Sequence, residues 1–114
     1  MTTPTATTYA NGTREWRVKG KLHRLDGPAV ELATGTREWY VNGKLHRIDG
    51  PAYEGAGGTR VWWVNGERHR LDGPAIEFAD GARAWWVNDI EYTFIEFIIE
   101  FATPENAHKL AAYG

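Results

Sequence analysis

The chain has 114 residues, a formal net charge of −2 at pH 7 and no cysteine. This length suits one domain with a single core, and the near-neutral charge gives no general attraction to nucleic acid or to an anionic membrane. Without cysteine the chain has no disulfide, no thiolate nucleophile and no cysteine-ligated zinc. No run of about 18 apolar residues occurs, so no membrane-spanning segment is predicted.

Residues 1–11 form a threonine-rich lead-in before the regular part of the chain. They lack the basic and apolar regions of a secretory signal, so a cytoplasmic protein is expected. Tyr9 precedes Leu32 by one period of the repeat that follows. We therefore expect a partial copy of the repeat here, with an edge strand at residues 7–10.

Residues 12–92 contain one 23-residue unit in three full copies and a truncated fourth. In each copy an Arg-x-Trp-x-Val segment alternates with a period of two, which is typical of a strand. A His-Arg pair and an Asp-Gly-Pro-Ala segment follow in the three full copies. A regular period without insertions predicts a stacked array of one supersecondary unit.

A two-residue turn follows the first strand of each full copy. These turns favour type I′ hairpins, in which both residues have positive φ. They are Lys19-Gly20, Asn42-Gly43 and Asn65-Gly66.

Counting outward from each turn gives the cross-strand pairs. On one side of the sheet these pairs are Trp16 with His23, Trp39 with His46 and Trp62 with His69, and on the other side Glu15 with Arg24 and Glu38 with Arg47.

The Asp-Gly-Pro segment interrupts the returning strand, because proline has no donor for the ladder. We expect a bulge or tight bend there, in which glycine permits positive φ and aspartate accepts backbone N–H bonds. The chain then resumes as a strand and turns again at a second glycine-containing turn. The expected fold class is mainly β, an open antiparallel meander of β-hairpin repeats with about seven or eight twisted strands.

Residues 93–114 depart from the repeat and are predicted to form a helical cap of one or two helices. Thr93 and Glu96 have the spacing of a capping box at the start of the first helix. The segment Thr103-Pro104 is expected to start a second helix that ends near Tyr113, with proline at the first helical position.

The face of the predicted sheet opposite the central Trp residues carries a row of aromatic residues, Tyr40, Trp63 and Trp86. The polarity of this face falls toward the C-terminus. Because an open end of a repeat array needs a cover, the cap is predicted to pack on Trp63 and Trp86. Tyr40 lies nearer the polar end and is a candidate for contact with a partner.

The first helix carries more apolar surface than one sheet face can cover. Its large apolar residues surround it rather than lining one stripe: Phe94, Ile95, Phe97, Ile98, Ile99 and Phe101. A large exposed apolar patch usually marks an interaction site. A two-fold homodimer through Ile95 and Ile99 is one prediction, and a second helix that folds back and covers them with Leu110 and Tyr113 is the alternative.

The Trp-x-Val-Asn-Gly-Lys-x-His segment resembles the MORN repeat, a β-hairpin unit of the same length. The likeness covers roughly residues 12–89. It differs in two respects, since arginine follows the histidine here and the Asp-Gly-Pro-Ala segment has no MORN counterpart. The full string resembles variant repeats of phage and large-virus proteins, and this resemblance implies a small viral or mobile-element protein that acts as a binding scaffold.

The face with the central Trp residues also carries arginine and histidine in every full copy, so a binding surface is a candidate there. Its residues are Arg37, Trp39, His46, Arg60, Trp62 and His69. The alternative is structural: arginine stacks on Trp, and histidine packs on its partner Trp and bonds the aspartate or backbone of its own copy. Successive histidines would lie roughly 10 Å apart, too far to share one zinc ion, so no metal is predicted.

No position has the features of a catalytic residue. The chain lacks both serine and cysteine, and its histidines and aspartates recur alike in three copies, as structural residues do. We therefore expect a non-enzymatic scaffold without a cofactor that binds a protein partner, such as a phage or mobile-element accessory protein that modulates a host protein. The alternative is a small-ligand binder that sequesters an anionic nucleotide or metabolite on the Arg/Trp/His face.

Overall fold

The computed structural model describes residues 3–114, so the first two residues of the predicted lead-in lie outside it. The predicted fold class is confirmed: the chain is mainly β, an open antiparallel meander followed by two C-terminal helices. The strands are β1 (Thr5–Thr8), β2 (Arg14–Val18), β3 (Lys21–Leu22), β4 (Val30–Glu31), β5 (Arg37–Glu38), β6 (Tyr40–Val41), β7 (Lys44–Leu45), β8 (Tyr53–Glu54), β9 (Arg60–Val61), β10 (Trp63–Val64), β11 (Glu67–Arg68), β12 (Ile76–Glu77), β13 (Arg83–Val87) and β14 (Ile90–Tyr92). The main sheet runs in the order β1-β2-β4-β5-β8-β9-β12-β13-β14, with β3 paired to β2. Two further ladders, β6-β7 and β10-β11, lie off this path.

The strands are shorter and more numerous than predicted, because in the second and third copies the chain changes its pairing partner at the central Trp. The Trp39 N–H donates to the Ala52 carbonyl at 2.7 Å, while the Trp39 carbonyl accepts from the His46 N–H at 3.0 Å. Before Trp39 the chain pairs with β4 and β8, and after it with its own hairpin mate β7. One predicted strand thus becomes two.

The hairpin turns form as predicted. Lys19, Asn42 and Asn65 have φ near +50°, and the glycine after each has φ near +80°, so both turn residues are left-handed as a type I′ turn requires. The Trp–His register follows, since the His23 N–H donates to the Trp16 carbonyl at 2.9 Å. The fourth copy turns at Asn88 and Asp89, both also at positive φ.

The turn at the end of the lead-in has the same backbone bonds as the turn one period later. The Tyr9 N–H bonds the Thr13 carbonyl and the Gly12 N–H bonds the Tyr9 carbonyl, at 2.8 and 2.9 Å. The same two bonds recur one period later at Leu32. Strand β1 occupies Thr5–Thr8, two residues before the predicted edge strand, and pairs with β2.

The Asp-Gly-Pro bend forms, but its predicted details are wrong. Gly27, Gly50 and Gly73 do not have positive φ. A Cβ atom at Gly50 would lie 2.9 Å from Cζ of Arg47, so this position needs glycine because a guanidinium passes against it. The aspartates accept from arginine side chains, as Asp49 does from Arg47 Nε at 3.1 Å, and not from the backbone N–H groups that were predicted.

The predicted pairs of Glu15 with Arg24 and Glu38 with Arg47 do not form. Glu15 accepts from Arg17, and Glu38 accepts from the Tyr40 hydroxyl. Because the return strand ends at Leu22 and bends, the Arg24 side chain lies on the same face as Trp16, 3.9 Å from its ring centre. Arg47 lies over Trp39 in the same way.

The first predicted helix is confirmed as α1, Phe94–Phe101, with the complete capping box of Thr93 and Glu96. The second starts later than predicted. Helix α2 spans only Ala107–Leu110, with Asn106 as its N-cap residue, and a 3-10 turn follows at Ala111–Tyr113. Neither helix is long and apolar enough to cross a membrane, and the same holds throughout residues 3–114.

The cap covers the opposite face of the sheet from the one predicted. Its core consists of Trp85, Val87, Phe97 and Leu110, which belong to the face of the central Trp residues. Trp63 and Trp86 instead have a cover of their own, because Arg68 lies 3.7 Å from the Trp86 ring centre and 5.7 Å from that of Trp63. Asp89 holds Arg68 in place through a bond of 2.7 Å from Arg68 Nε.

Candidate functional site

The face that carries Trp16, Trp39, Trp62 and Trp85, here called the Trp face, is built on stacked guanidinium groups. Arg47 lies 3.9 Å from the Trp39 ring centre, and Arg70 lies 3.7 Å from that of Trp62. Such a stack contributes about 0.5–1 kcal/mol when exposed and more when desolvated. Because each arginine lies in the copy of the Trp that it covers, this contact stabilises the fold within one copy.

Each stacked guanidinium also donates to oxygen acceptors through Nε and Nη1. Arg47 donates from Nε to Asp49 and from Nη1 to the Pro51 carbonyl, at 3.1 and 3.0 Å. Its Nη1 also reaches Glu54 at 3.4 Å, and Glu54 pairs with Arg37 at the same time. The two predicted binding arginines, Arg37 and Arg60, are therefore both held by carboxylates, since Arg60 pairs with Glu77.

The histidines join neighbouring copies. Nδ1 of His46 accepts the backbone N–H of Asn65 at 2.9 Å, and His23 and His69 accept from Asn42 and Asn88 in the same way. We expected each histidine to bond within its own copy, and this was wrong: the partner lies 19 residues further on, in the next copy. The bond requires the tautomer in which Nδ1 carries no proton.

Replacing His46 with phenylalanine is expected to lower the free energy of unfolding by about 1 kcal/mol, because the ring still packs while the Asn65 N–H loses its acceptor. His46→Asn is the matched control, since its side-chain oxygen can take the place of Nδ1. Urea unfolding followed by Trp fluorescence measures both. Equal losses in the two variants would contradict a role for this hydrogen bond.

Two grooves run across the Trp face between successive Asp-Gly-Pro loops, which comprise residues 24–28, 47–51 and 70–74. Groove 1 lies between the first and second loops and is floored by Trp39 and Val41. Groove 2 lies between the second and third loops and is floored by Trp62 and Val64. His46 and His69 also line grooves 1 and 2 respectively, so four of the predicted binding residues lie in these grooves.

The loop tips carry exposed apolar side chains at one recurring position. Leu25, Ile48 and Leu71 are 70%, 76% and 44% exposed, and each borders a groove. The sequence predictions missed these residues. The signal was a leucine or isoleucine between arginine and aspartate in each full copy, a position where a solvent-exposed bend needs no apolar side chain.

The opposite side of the sheet, here called the back face, carries the aromatic row of Tyr40, Trp63 and Trp86. Tyr40 is half-buried, and its hydroxyl donates to Glu38 at 3.3 Å. Burial, together with the Glu38 carboxylate, raises the pKa of Tyr40 above its ordinary value. Trp86 Nε1 is buried and has no hydrogen-bond partner among residues 3–114. The row is therefore mostly committed to packing and to the Arg68 stack.

Helix α1 divides its six apolar residues between two sides. Phe97 is fully buried, and Phe94, Ile98 and Phe101 pack around the same core. Ile95 and Ile99 lie on the outer side and are 71% and 76% exposed. Leu110 and Tyr113 do fold back, but onto the core side, so the predicted cover of Ile95 and Ile99 by the second helix does not form.

No group of three or more histidine, aspartate or glutamate side chains within residues 3–114 is arranged to hold a metal ion. Comparison of the chain with protein-family models, with curated proteins and with solved structures finds no match.

Proposed function

We propose that this chain is a non-enzymatic scaffold that binds a partner protein on its Trp face. The observation that carries the proposal is the row of exposed apolar loop tips, Leu25, Ile48 and Leu71, beside the two grooves. Burying one such side chain stabilises a complex by about 1.5–3 kcal/mol. Exposed apolar surface that is rimmed by polar residues marks sites of interaction with other proteins.

The polar groups of the Trp face support binding rather than catalysis. A catalytic base or nucleophile needs a free reactive atom in a concave place. Here Nδ1 of His46 is engaged with the backbone, and the Arg47 guanidinium is engaged with Asp49 and Pro51. Both arrangements recur in the neighbouring copies, so they serve the repeat rather than one reaction centre.

A protein partner is also favoured over an anionic nucleotide or metabolite. An anion at the predicted arginines would compete with Glu54 and Glu77, which already pair with Arg37 and Arg60. One face of the Trp39 ring is covered by Arg47, so less of the ring is open for base stacking. From the resemblance to phage repeats we further propose that the scaffold acts in the cytoplasm of a host, where it would modulate a host protein.

The test compares two isoleucines of equal exposure. Ile48 and Ile99 are both 76% exposed, but only Ile48 borders the grooves. Host proteins captured from lysate by the wild type are expected to be lost with Ile48→Glu and retained with Ile99→Glu. A captured set that is the same for all three proteins would refute binding at the Trp face, and stabilisation of the wild type by a nucleotide in a thermal-shift screen would favour the small-ligand alternative.

We also propose that Ile95 and Ile99 mediate a homodimer, since the outer side of α1 leaves both exposed. A two-fold axis would bring the same side chains of two chains together. Light scattering at high micromolar concentration is expected to show a dimer for the wild type and a folded monomer for the Ile95→Glu, Ile99→Glu double variant. A monomeric wild type would remove this proposal.

A further inference from the structure

The chain fills one space on its own Trp face that is equivalent to grooves 1 and 2. This third space lies beyond the third Asp-Gly-Pro loop and is floored by Trp85 and Val87, the counterparts of Trp62 and Val64. The helical cap at residues 93–114, here also called the tail, occupies this space. It places Phe97 and Leu110 on the floor, where they are 0% and 2% exposed. A floor made of one Trp and one Val of the Trp face can therefore bind an amphipathic helical segment.

Two polar contacts hold the tail against the third loop. Asn106 Nδ2 donates to the Leu71 carbonyl at 2.9 Å, and Lys109 Nζ lies 3.3 Å from Asp72 Oδ2. Burial acts to raise the pKa of Asp72, but the hydrogen bonds from Arg70 and Lys109 prevail and lower it below its ordinary value. Lys109, which is next to the buried Leu110, thus pairs with the Asp72 carboxylate at the edge of the third loop.

The first two Asp-Gly-Pro loops carry the same aspartate as the third, but the cap does not cover it there. Asp26 and Asp49 are the counterparts of Asp72, and their side chains are 88% and 87% exposed, against 43% for Asp72. Groove 2 is also continuous with the filled space, because Asn106 and Lys109 form part of its wall. A segment in groove 2 would therefore lie beside the tail of this chain.

One difference limits what the open grooves can accept. Trp85 contacts Phe94, Phe97 and Tyr113, with ring centres 4.9, 4.8 and 5.5 Å away. In grooves 1 and 2 a guanidinium already covers one face of the Trp ring. Each open groove therefore has room for fewer apolar side chains than the filled one.

We propose, on the basis of the protein-binding function above, that grooves 1 and 2 bind an amphipathic helix of a partner protein. Successive grooves are two strands apart, roughly 10 Å, which a helix spans in about seven residues. The partner helix then inserts large apolar side chains about seven residues apart. Lysine or arginine beside them pairs with Asp26 and Asp49.

The test uses a fluorescent synthetic peptide of residues 93–114, which carries the apolar and basic groups of the segment that fills the third space. Its anisotropy is measured with the full-length wild type, Ile48→Glu and Ile90→Glu, after circular dichroism has shown that the variants fold. Ile90 is the control because it is 57% exposed and borders neither groove. Binding is expected with the wild type and Ile90→Glu alike. We expect Ile48→Glu, or Lys109→Glu in the peptide, to weaken binding by about tenfold or more.

The remaining outcomes overturn the inference and separate it from the proposed function. A peptide that does not bind the wild type, that binds all variants equally, or that loses binding only with Ile90→Glu refutes helix docking in the grooves. If capture from lysate still depends on Ile48 in that case, the protein-binding function stands with a partner that is not helical. If capture is also independent of Ile48, both proposals fail.

Discussion

Replacement of Phe97 with alanine is expected to lower the free energy of unfolding by about 3–5 kcal/mol. Phe97 is fully buried, and its ring centre lies 4.8 Å from that of Trp85 and 5.3 Å from that of Phe101. Truncation removes the apolar contact and leaves a cavity that the short α2 segment can close only in part. Urea unfolding followed by Trp fluorescence measures the loss directly.

The control is Ile99→Ala in the same helix. Ile99 is 76% exposed, so its truncation removes little buried surface and is expected to change the free energy of unfolding by no more than about 0.5 kcal/mol. The measurement belongs at low micromolar concentration, because dilution disfavours a dimer through Ile99 by mass action. Similar losses in the two variants would mean that the tail does not dock on Trp85 as described.

Replacement of Gly50 with valine is expected to destabilise the chain by about 2–4 kcal/mol. The new side chain would overlap the Arg47 guanidinium, because a Cβ atom on residue 50 would lie only 2.9 Å from Arg47 Cζ. Arg47 would then have to leave Trp39 and give up its bonds to Asp49 and Pro51. The cost lies in those lost interactions, since the φ of Gly50 is one that other residues adopt.

Arg47→Ala separates this cause from backbone strain. In the Arg47→Ala background Gly50→Val is expected to cost much less, so a double-mutant cycle should give a coupling close to the full single-variant effect. Gly57→Val provides the matched control, because its Cβ would meet nothing within 4 Å and its φ is not left-handed. A cost for Gly50→Val that is the same with and without Arg47 would place the strain in the backbone.

The features that follow from local geometry were predictable from the sequence. A two-residue turn with Asn-Gly fixes the positions of both strands, so the register of Trp39 and His46 follows by counting. The capping box at Thr93 is equally local, because its two hydrogen bonds join residues three apart. Both depend on chain segments short enough for intrinsic preferences to decide.

The features that depend on contacts between copies were not predictable in the same way. The bond from Asn65 to His46 joins residues 19 apart, and local pairing rules describe only the hairpin that contains each of them. The bend after His46 also turns Arg47 to the Trp face, which strict alternation along a strand excludes.

The choice of face for the cap had one signal in the sequence. Arg68 stands where the earlier copies have Leu22 and Leu45, next to the row that contains Trp63 and Trp86. An arginine at that position supplies those two rings with a stacked cover, which removes the need for the tail there. Apart from Arg68, the two faces carry aromatic rows of similar size. Hydrophobicity alone therefore does not predict which face the cap covers.

The junction between neighbouring copies has a consequence for how such a chain can change length. The Arg24, Arg47 and Arg70 N–H groups donate to carbonyls at Tyr40, Trp63 and Trp86, at 3.1, 3.1 and 3.2 Å, so every junction uses the same bond. An in-frame duplication or deletion of 23 residues would therefore join surfaces that already fit. A shift of one residue would reverse the faces of a whole copy. Duplication or deletion within the repeat region is thus expected to occur in whole copies. Each added copy would extend the row of grooves by one.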